Sequence, residues 1–255
     1  MMPGNMAQPK SSRSTSQNPA WSPARILFED EWLIAVDKPA GLPTQPTLDA
    51  ARPSVFSELK KFLQQRDGRE PYLALHHRLD RDTTGVLLLS KSQKANAGVG
   101  ALFADKVAQK TYQALAVLGT GCPDLWEVKN YLGIIGRVAK ANKFGAVRSG
   151  GDPAHTTFRE LERFHDAVRI EAMPHTGRTH QIRVHLTECG HPILGDELYG
   201  GPVSVRLGSG ARFRFQRVML HAAALAFLHP MTNEEVTIAC PLPEDFARCL
   251  EQLRT

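Results

Sequence analysis

Hairpin-like strand pairs that alternate with short amphipathic helices, set around one uninterrupted apolar strand, agree with a mixed α+β fold. The apolar strand is GVLLL at 85–89, bounded by polar residues on both sides. That is the pattern of a central strand buried on both faces. With 255 residues, 42% of them hydrophobic, the chain is long enough to bury a sizeable core.

Taken in order, residues 1–24 are rich in Pro, Ser, Gln and Asn, carry Lys10 and Arg13 without an acid, and lack a hydrophobic period. They read as a disordered basic tail. Structure is expected from Ile26, with a hairpin of 26–28 and 32–36 closing on the Lys38-Pro39-Ala40-Gly41 turn. Val55, Phe56, Leu59, Phe62 and Leu63 recur at helical spacing behind Ser54, predicting a helix over 54–65. Ser92 reads as the cap of a second helix through Ala104, with Ala95, Val99, Leu102 and Phe103 inward. KTYQALAVL at 110–118 alternates as a strand, with Tyr112, Ala114 and Ala116 on one face. A Tyr among small residues has room for a planar partner, although a Tyr in a strand more often packs in a core.

Residues 131–150 hold Arg137, Lys140, Lys143 and Arg148 and no acid, so they form a basic loop or ribbon that either meets phosphate or is simply solvated. A second hairpin joins 156–161 to 168–172 across His165-Asp166. Thr179 reads as the cap of a helix of about three turns with Ile182, Leu186 and Cys189 inward, stopped by Gly190. Arg183 lies one turn beyond His180, so the two share a sector. From 198 to 233 acids are again absent, and Arg206, Arg212, Arg214 and Arg217 interleave with Phe213 and Phe215. Base stacking and core packing are both open for that Phe pair. Strands at 218–227 and 236–239 and a last helix with Phe246, Leu250 and Leu253 on one face complete the chain.

Several classes are excluded or disfavoured. No apolar run approaches the ~18 residues of a membrane helix and no signal-peptide core is present, which implies a cytoplasmic protein. The four cysteines form no CxxC pair and read as free thiols. His175, His180 and His185 are spaced by five, which suits neither a helical nor a strand ligand pair, so no metal site is expected. A net charge of +5 points to a polyanionic partner. The stretch ALHHRLDRDTTGVLLLSK at 74–91 places Asp80 between Arg78 and Arg81 where the chain enters the apolar strand, either an active-site edge or a surface turn.

Five stretches in order, ILFEDEWLIAVDKPAG (26–41), HHRLDRDTTGVLLLSKS (76–92), KTYQALAVLG (110–119), HTGRTHQIRVHLTECGHPILGDELYG (175–200) and LHAAALAFLHP (220–230), resemble the pseudouridine synthases of the RluA type. The resemblance implies that family's α+β pseudouridine synthase fold over 25–255: a long, mixed, mostly antiparallel sheet with helices and loops flanking a central RNA cleft. It implies an isomerase acting on a uridine of tRNA or rRNA, with RNA as partner, no cofactor, no metal, no membrane, and a monomer. Asp80, the Asp of HRLD, would be the catalytic carboxylate. Arg183 would be its counter-ion, and Tyr112 would lie against the uracil. Arg78 would fill the space of the extruded base, with Arg178, Arg212 and Arg214 as further RNA contacts by composition and place. Thr84 stands where the family often has Ser, and no S4 RNA-binding domain is expected before residue 25. Two other classes are disfavoured: a non-catalytic RNA-binding protein retaining the fold, and a metal-dependent hydrolase using His76, His77, Asp80 and Asp82.

Overall fold

In a computed structural model, the structure describes residues 21–47, 49, 52–119, 123–138, 141–207 and 210–254. Of the tail expected over 1–24, residues 1–20 lie outside the described residues, as do Cys122 and Lys140, while a 3-10 turn at Pro23–Arg25 stands where the end of the tail was expected. Trp21 packs with Ile26 against buried Val36 and Leu59, so ordered contacts reach five residues ahead of Ile26.

The chain runs β1 (Ile26–Glu29), β2 (Leu33–Lys38), α1 (Val55–Asp67), β3 (Ala74–Leu75), β4 (Thr84–Ser90), α2 (Asn96–Ala104), β5 (Gln109–Val117), β6 (Leu125–Val138) and β7 (Ala141–Ala146). It continues through β8 (Asp152–Arg163), β9 (Ala167–Pro174), α3 (Gln181–Glu188), β10 (Ser204–Arg206), β11 (Arg212–Arg214), β12 (Leu220–Leu228), β13 (Glu235–Ala239) and α4 (Glu244–Leu253). One mixed sheet takes the order β1-β2-β4-β12-β5-β9-β8-β6-β7, with β3 beside β4 and β13 beside β12, and β10 and β11 form a separate ribbon. The β4–β12 pair is parallel and the others are antiparallel, so the α+β expectation holds.

Every residue of β4 is buried. Val86 and Leu88 pack with Val99 and Leu102 of α2. Leu87 and Leu89 pack with Val55, Leu59 and Leu63 of α1. Alternation along a strand sends successive side chains to opposite faces, so a strand with a helix on each face reads as continuous apolar sequence. A third core gathers Ala114 and Ala116 of β5, Ile170 of β9, Ile182 and Leu186 of α3, and Phe246 and Leu250 of α4.

Helix α1 begins at Ser54 as expected, with a reciprocal capping box between Ser54 and Ser57. The second helix departs from expectation. Ser92 makes no side-chain cap; a 3-10 turn at Gln93–Ala95 precedes α2. The basic stretch at 131–150 is the β6–β7 ribbon, and β6 starts earlier than its charge pattern suggests, at Leu125. Phe215 is buried and Phe213 packs beside it against the third core, which settles the Phe pair as core.

Gly85 occupies the parallel junction, paired with Ala222. Its φ is +112°, and a Cβ there would lie 2.1 Å from the Ala222 carbonyl oxygen. Gly85→Ala is therefore expected to part β4 from β12, costing about 3 kcal/mol from strain and overpacking together. Chemical denaturation would read that loss; an unchanged midpoint would show that the junction tolerates a side chain.

Candidate active site

The loop from β3 to β4 carries Asp80, and its backbone is held on two sides. Thr44 Oγ1 donates to Leu79 O at 2.8 Å and accepts from Leu79 N at 3.1 Å. The buried Lys38 donates from Nζ to Pro39 O, Arg81 O and Thr83 O at 2.8–2.9 Å, using all three of its donors on loop carbonyls. Burial lowers the Lys38 pKa to about 7 against the raising influence of Asp82 and Asp80. The Asp80 side chain, 22% exposed, is left facing a cleft of about 490 Å³.

The opposite wall is α3. Arg183 Nη1 lies 3.1 Å from Asp80 Oδ2. The same guanidinium grips Asp196 with two parallel bonds, Nε to Oδ2 at 2.7 Å and Nη2 to Oδ1 at 2.8 Å. Such a bidentate pair fixes the plane of the arginine as well as its charge. Arg183 is 9% and Asp196 1% exposed. Burial alone would depress the Arg183 pKa, but Asp196 and Asp80 outweigh it and leave the pKa above its ordinary value. The Tyr199 ring lies against the guanidinium, 5.0 Å from centroid to carbon.

Tyr112 lines the cleft and packs against two of the cores. Burial first, and then the Asp80 charge, push its phenol pKa above the ordinary tyrosine range, so it stays protonated. Position on β5 thus serves both readings left open by the sequence. Arg78 and Arg178 line the cleft, and Arg178 Nε donates to Pro153 O. Arg212 and Arg214 are exposed on β11 and do not line the cleft.

Helix α3 differs from its sequence expectation at its start and length. Thr179 is not the cap; His180 takes that place in the left-handed region (φ 58°, ψ 18°) and makes no capping bond. The helix has eight residues, about two turns. The three histidines at 175, 180 and 185 face different partners: Thr157, Tyr199, and Thr156 with Asn130. His175 stacks on His155 with centroids 4.0 Å apart and planes 20° apart, and Glu127 reaches His155 at 3.5 Å. Rings so nearly parallel send their lone pairs alongside each other, and Lys129 already holds Glu127 at 2.7 Å. Glu127, His155 and His175 nonetheless each offer one ligand atom within 4.8 Å of the others, a grouping the spacing of 175, 180 and 185 did not suggest.

The loop histidines also diverge. His76 Nε2 meets Ser90 Oγ at 2.9 Å, whereas His77 Nε2 accepts Leu88 N–H at 2.9 Å and stacks on Phe103. Asp82 pairs with Arg81. Thr84 Oγ1 bonds His221, so the hydroxyl retained at that position has a partner. Burial pushes the His77 pKa down to about 3. The unfolded chain protonates His77 near pH 6.5, while the folded protein refuses the proton until about pH 3. Stability is therefore full above pH 6.5 and falls as pH drops toward 3. His77→Gln keeps an acceptor for Leu88 but cannot titrate. It should reduce the slope of unfolding free energy between about pH 6 and 4 by about one proton, as read by denaturant melts across that range.

Sequence reading missed Asp196, Tyr199 and Lys110, and placed His180 beside Arg183 without giving it a role. Lys110 lines the cleft, donates to Thr176 O at 3.0 Å, and has its pKa lowered by burial to about 8. Asp196 and Tyr199 both fall in GDELYG, within a quoted motif, but only their approach to Arg183 shows what they touch.

The family profile described as RNA pseudouridylate synthase matches residues 32–188. The ribosomal large subunit pseudouridine synthase D of Nitrosomonas europaea is 36% identical over 236 residues, covering 91% of this chain and 66% of the relative. Synthase C of Escherichia coli K12 is 36% identical over 229 residues, covering 90% of this chain and 70% of the relative. The chain thus spans about two thirds of the length of these relatives. Among solved structures, human RNA pseudouridylate synthase domain containing 4 superposes with a TM-score of 0.70 at 27% identity, covering 91% of this chain and 93% of that one. By that profile match and these relatives, the chain belongs to the RNA pseudouridylate synthases, in their RluA-type branch.

Proposed function

We propose that the protein converts a specific uridine in structured RNA to pseudouridine, with Asp80 as the reacting group. The observation that carries this reading is the Asp80–Arg183 contact of 3.1 Å inside a cleft lined by Tyr112. The reaction breaks the bond from uracil N1 to ribose C1′, turns the base, and joins C5 to C1′. Asp80 can add to C1′, so that the N1–C1′ electron pair leaves with uracil, and depart when C5 attacks. It can instead take the proton at C2′ and return it after the new bond forms. In either route C5 then loses its hydrogen as a proton to solvent and N1 takes one up, so the change is an isomerisation within one nucleotide and consumes no second reactant.

Arg183 donates to the Asp80 carboxylate and fixes its aim. Tyr112, protonated, is placed to lie against the uracil ring and near C5. The target uridine leaves its stack at a cost of a few kcal/mol, and Arg78 at the rim occupies the space vacated. Arg178 meets phosphate beside the cleft, and Arg212 and Arg214 do so from the β10–β11 ribbon. The relatives are named for the large ribosomal subunit, which favours ribosomal RNA over tRNA as the substrate and a cytoplasmic setting.

Mapping pseudouridine in RNA from cells lacking this protein tests the reading. One uridine that loses its modification, and regains it from a gene for the unaltered protein but not from one carrying Asp80→Asn, supports it. RNA binding without conversion by the unaltered protein would favour the non-catalytic alternative.

A further inference from the structure

His180 has an environment that neither capping nor core packing accounts for. Its backbone is left-handed, an uncommon state for a residue with a side chain, and it gives up the capping bond that a residue at a helix start commonly makes. The ring instead lies between two groups. Nδ1 is 2.8 Å from Tyr199 Oη, and Nε2 is 3.7 Å from Asp80 Oδ2. The side chain is 16% exposed and lines the cleft.

The tautomer follows from the Tyr199 hydroxyl. Tyr199 Oη accepts the backbone N–H of Phe144 at 3.1 Å. Its one proton needs an acceptor, and among the described residues His180 Nδ1 is the acceptor in reach. Nδ1 is then unprotonated and Nε2 carries the hydrogen, directed at the carboxylate. Burial lowers the His180 pKa and Asp80 opposes that shift; Arg183, Asp196 and Arg78 are the other charges around the ring. The imidazole is neutral at pH 7.

On the reading that Asp80 reacts, we infer that His180 is a positioning residue: an uncharged donor, oriented by Tyr199, that closes its 3.7 Å gap to Asp80 Oδ2 when substrate moves the carboxylate. At 3.7 Å the pair is beyond a hydrogen bond, as donors at catalytic groups often are before substrate arrives. Once the other oxygen of Asp80 is engaged with the ribose, Oδ2 holds Arg183 Nη1 and has a lone pair for a second donor. A neutral N–H supplies it while lowering carboxylate basicity less than a second cation would. No proton changes owner in this role.

The arrangement also ties Asp80 to the β6–β7 ribbon. Phe144 on β7 supplies the N–H that commits the Tyr199 proton to His180, and its ring meets the His180 ring edge-on at 5.7 Å. The ribbon is further fastened to α3 through Glu188, which accepts from Asn130 and from the Ala146 N–H. Seating of the ribbon and orientation of the donor are one event.

The test compares single-turnover tritium release from 5-tritiated ribosomal RNA, made in a strain lacking the protein, with the dissociation constant for the same RNA. His180→Asn suits the left-handed backbone and can still meet Tyr199, but its amide ends short of Asp80. It should slow the chemical step at least about tenfold with RNA affinity within about threefold. His180→Gln, whose amide reaches the Nε2 position, should recover most of that rate. Tyr199→Phe, which frees the tautomer, should also slow the step. A His180→Asn rate within about twofold of the unaltered protein, with Asp80→Asn inactive, overturns the inference and leaves the function intact. Equal losses in the His180→Asn and His180→Gln proteins, or a loss matched by weaker RNA binding, overturn it as well. An unaltered protein with no tritium release overturns both.

Discussion

Asp80→Asn protein is expected to form no pseudouridine, with a loss of at least about 10⁴-fold in the single-turnover rate, while still binding RNA. The substitution is close to isosteric, and the amide oxygen can still accept from Arg183 Nη1, which lies 3.1 Å from Asp80 Oδ2 in the unaltered protein. What disappears is the negative charge. An amide neither adds to C1′ at a useful rate nor takes a proton from C2′, so both routes stop together. Folding should be preserved, because Arg183 retains its two bonds to Asp196. RNA affinity should stay within about threefold or rise, since one carboxylate that faces phosphate has gone. Tritium release and filter binding on the same RNA give both quantities. Conversion near the unaltered rate would remove Asp80 from the mechanism.

Arg183→Met carries the second large effect, and it falls on stability as well as chemistry. Asp196 is 1% exposed and would lose two bonds and its countercharge at once. Removing one partner of a buried pair costs about 3–5 kcal/mol, because the remaining charge cannot be solvated. At roughly 2–4 °C per kcal/mol for a chain of this size, the melting temperature should fall by about 6–20 °C. Adding Asp196→Asn to Arg183→Met removes the stranded charge and should restore most of that loss. Activity should stay absent in the double variant, since Asp80 still lacks its cation. A single variant with unchanged melting temperature would mean that Asp196 is solvated or otherwise paired.

Local patterns were informative wherever one contact range decides the outcome. The Ser54 cap, the alternation of β5 and the hairpin of β8 and β9 follow from neighbours a few residues apart, and the structure has them where spacing places them. Expectations failed where a distant group outbid a local one. Thr179 has the right chemistry for a cap, yet His180 occupies the helix start because its ring is held by Tyr199, nineteen residues away. Phe213 and Phe215 sit in a basic stretch that suits stacking on bases, and the third core takes them instead. Strand β6 was legible only in part, since most of its side chains are exposed and impose little hydrophobic period.

For the candidate site the division is sharper. Asp80, Tyr112, Arg78 and Arg183 could be chosen from motifs in the chain, and the sheet brings all four to one cleft. Arg212 and Arg214 were chosen by composition and lie outside it. By itself the sequence determined the buried central strand, the hairpins and the family, because each is written in residue type and spacing. Only the tertiary structure decided that Arg183 is shared between Asp80 and Asp196, that Lys38 holds the Asp80 loop by its carbonyls, and that His180 faces the carboxylate. The physical reason is range: apart from the Lys38 bond to Pro39, these groups lie 2.7–3.7 Å apart in space and 13 to 103 residues apart in the chain, a distance that no local pattern encodes.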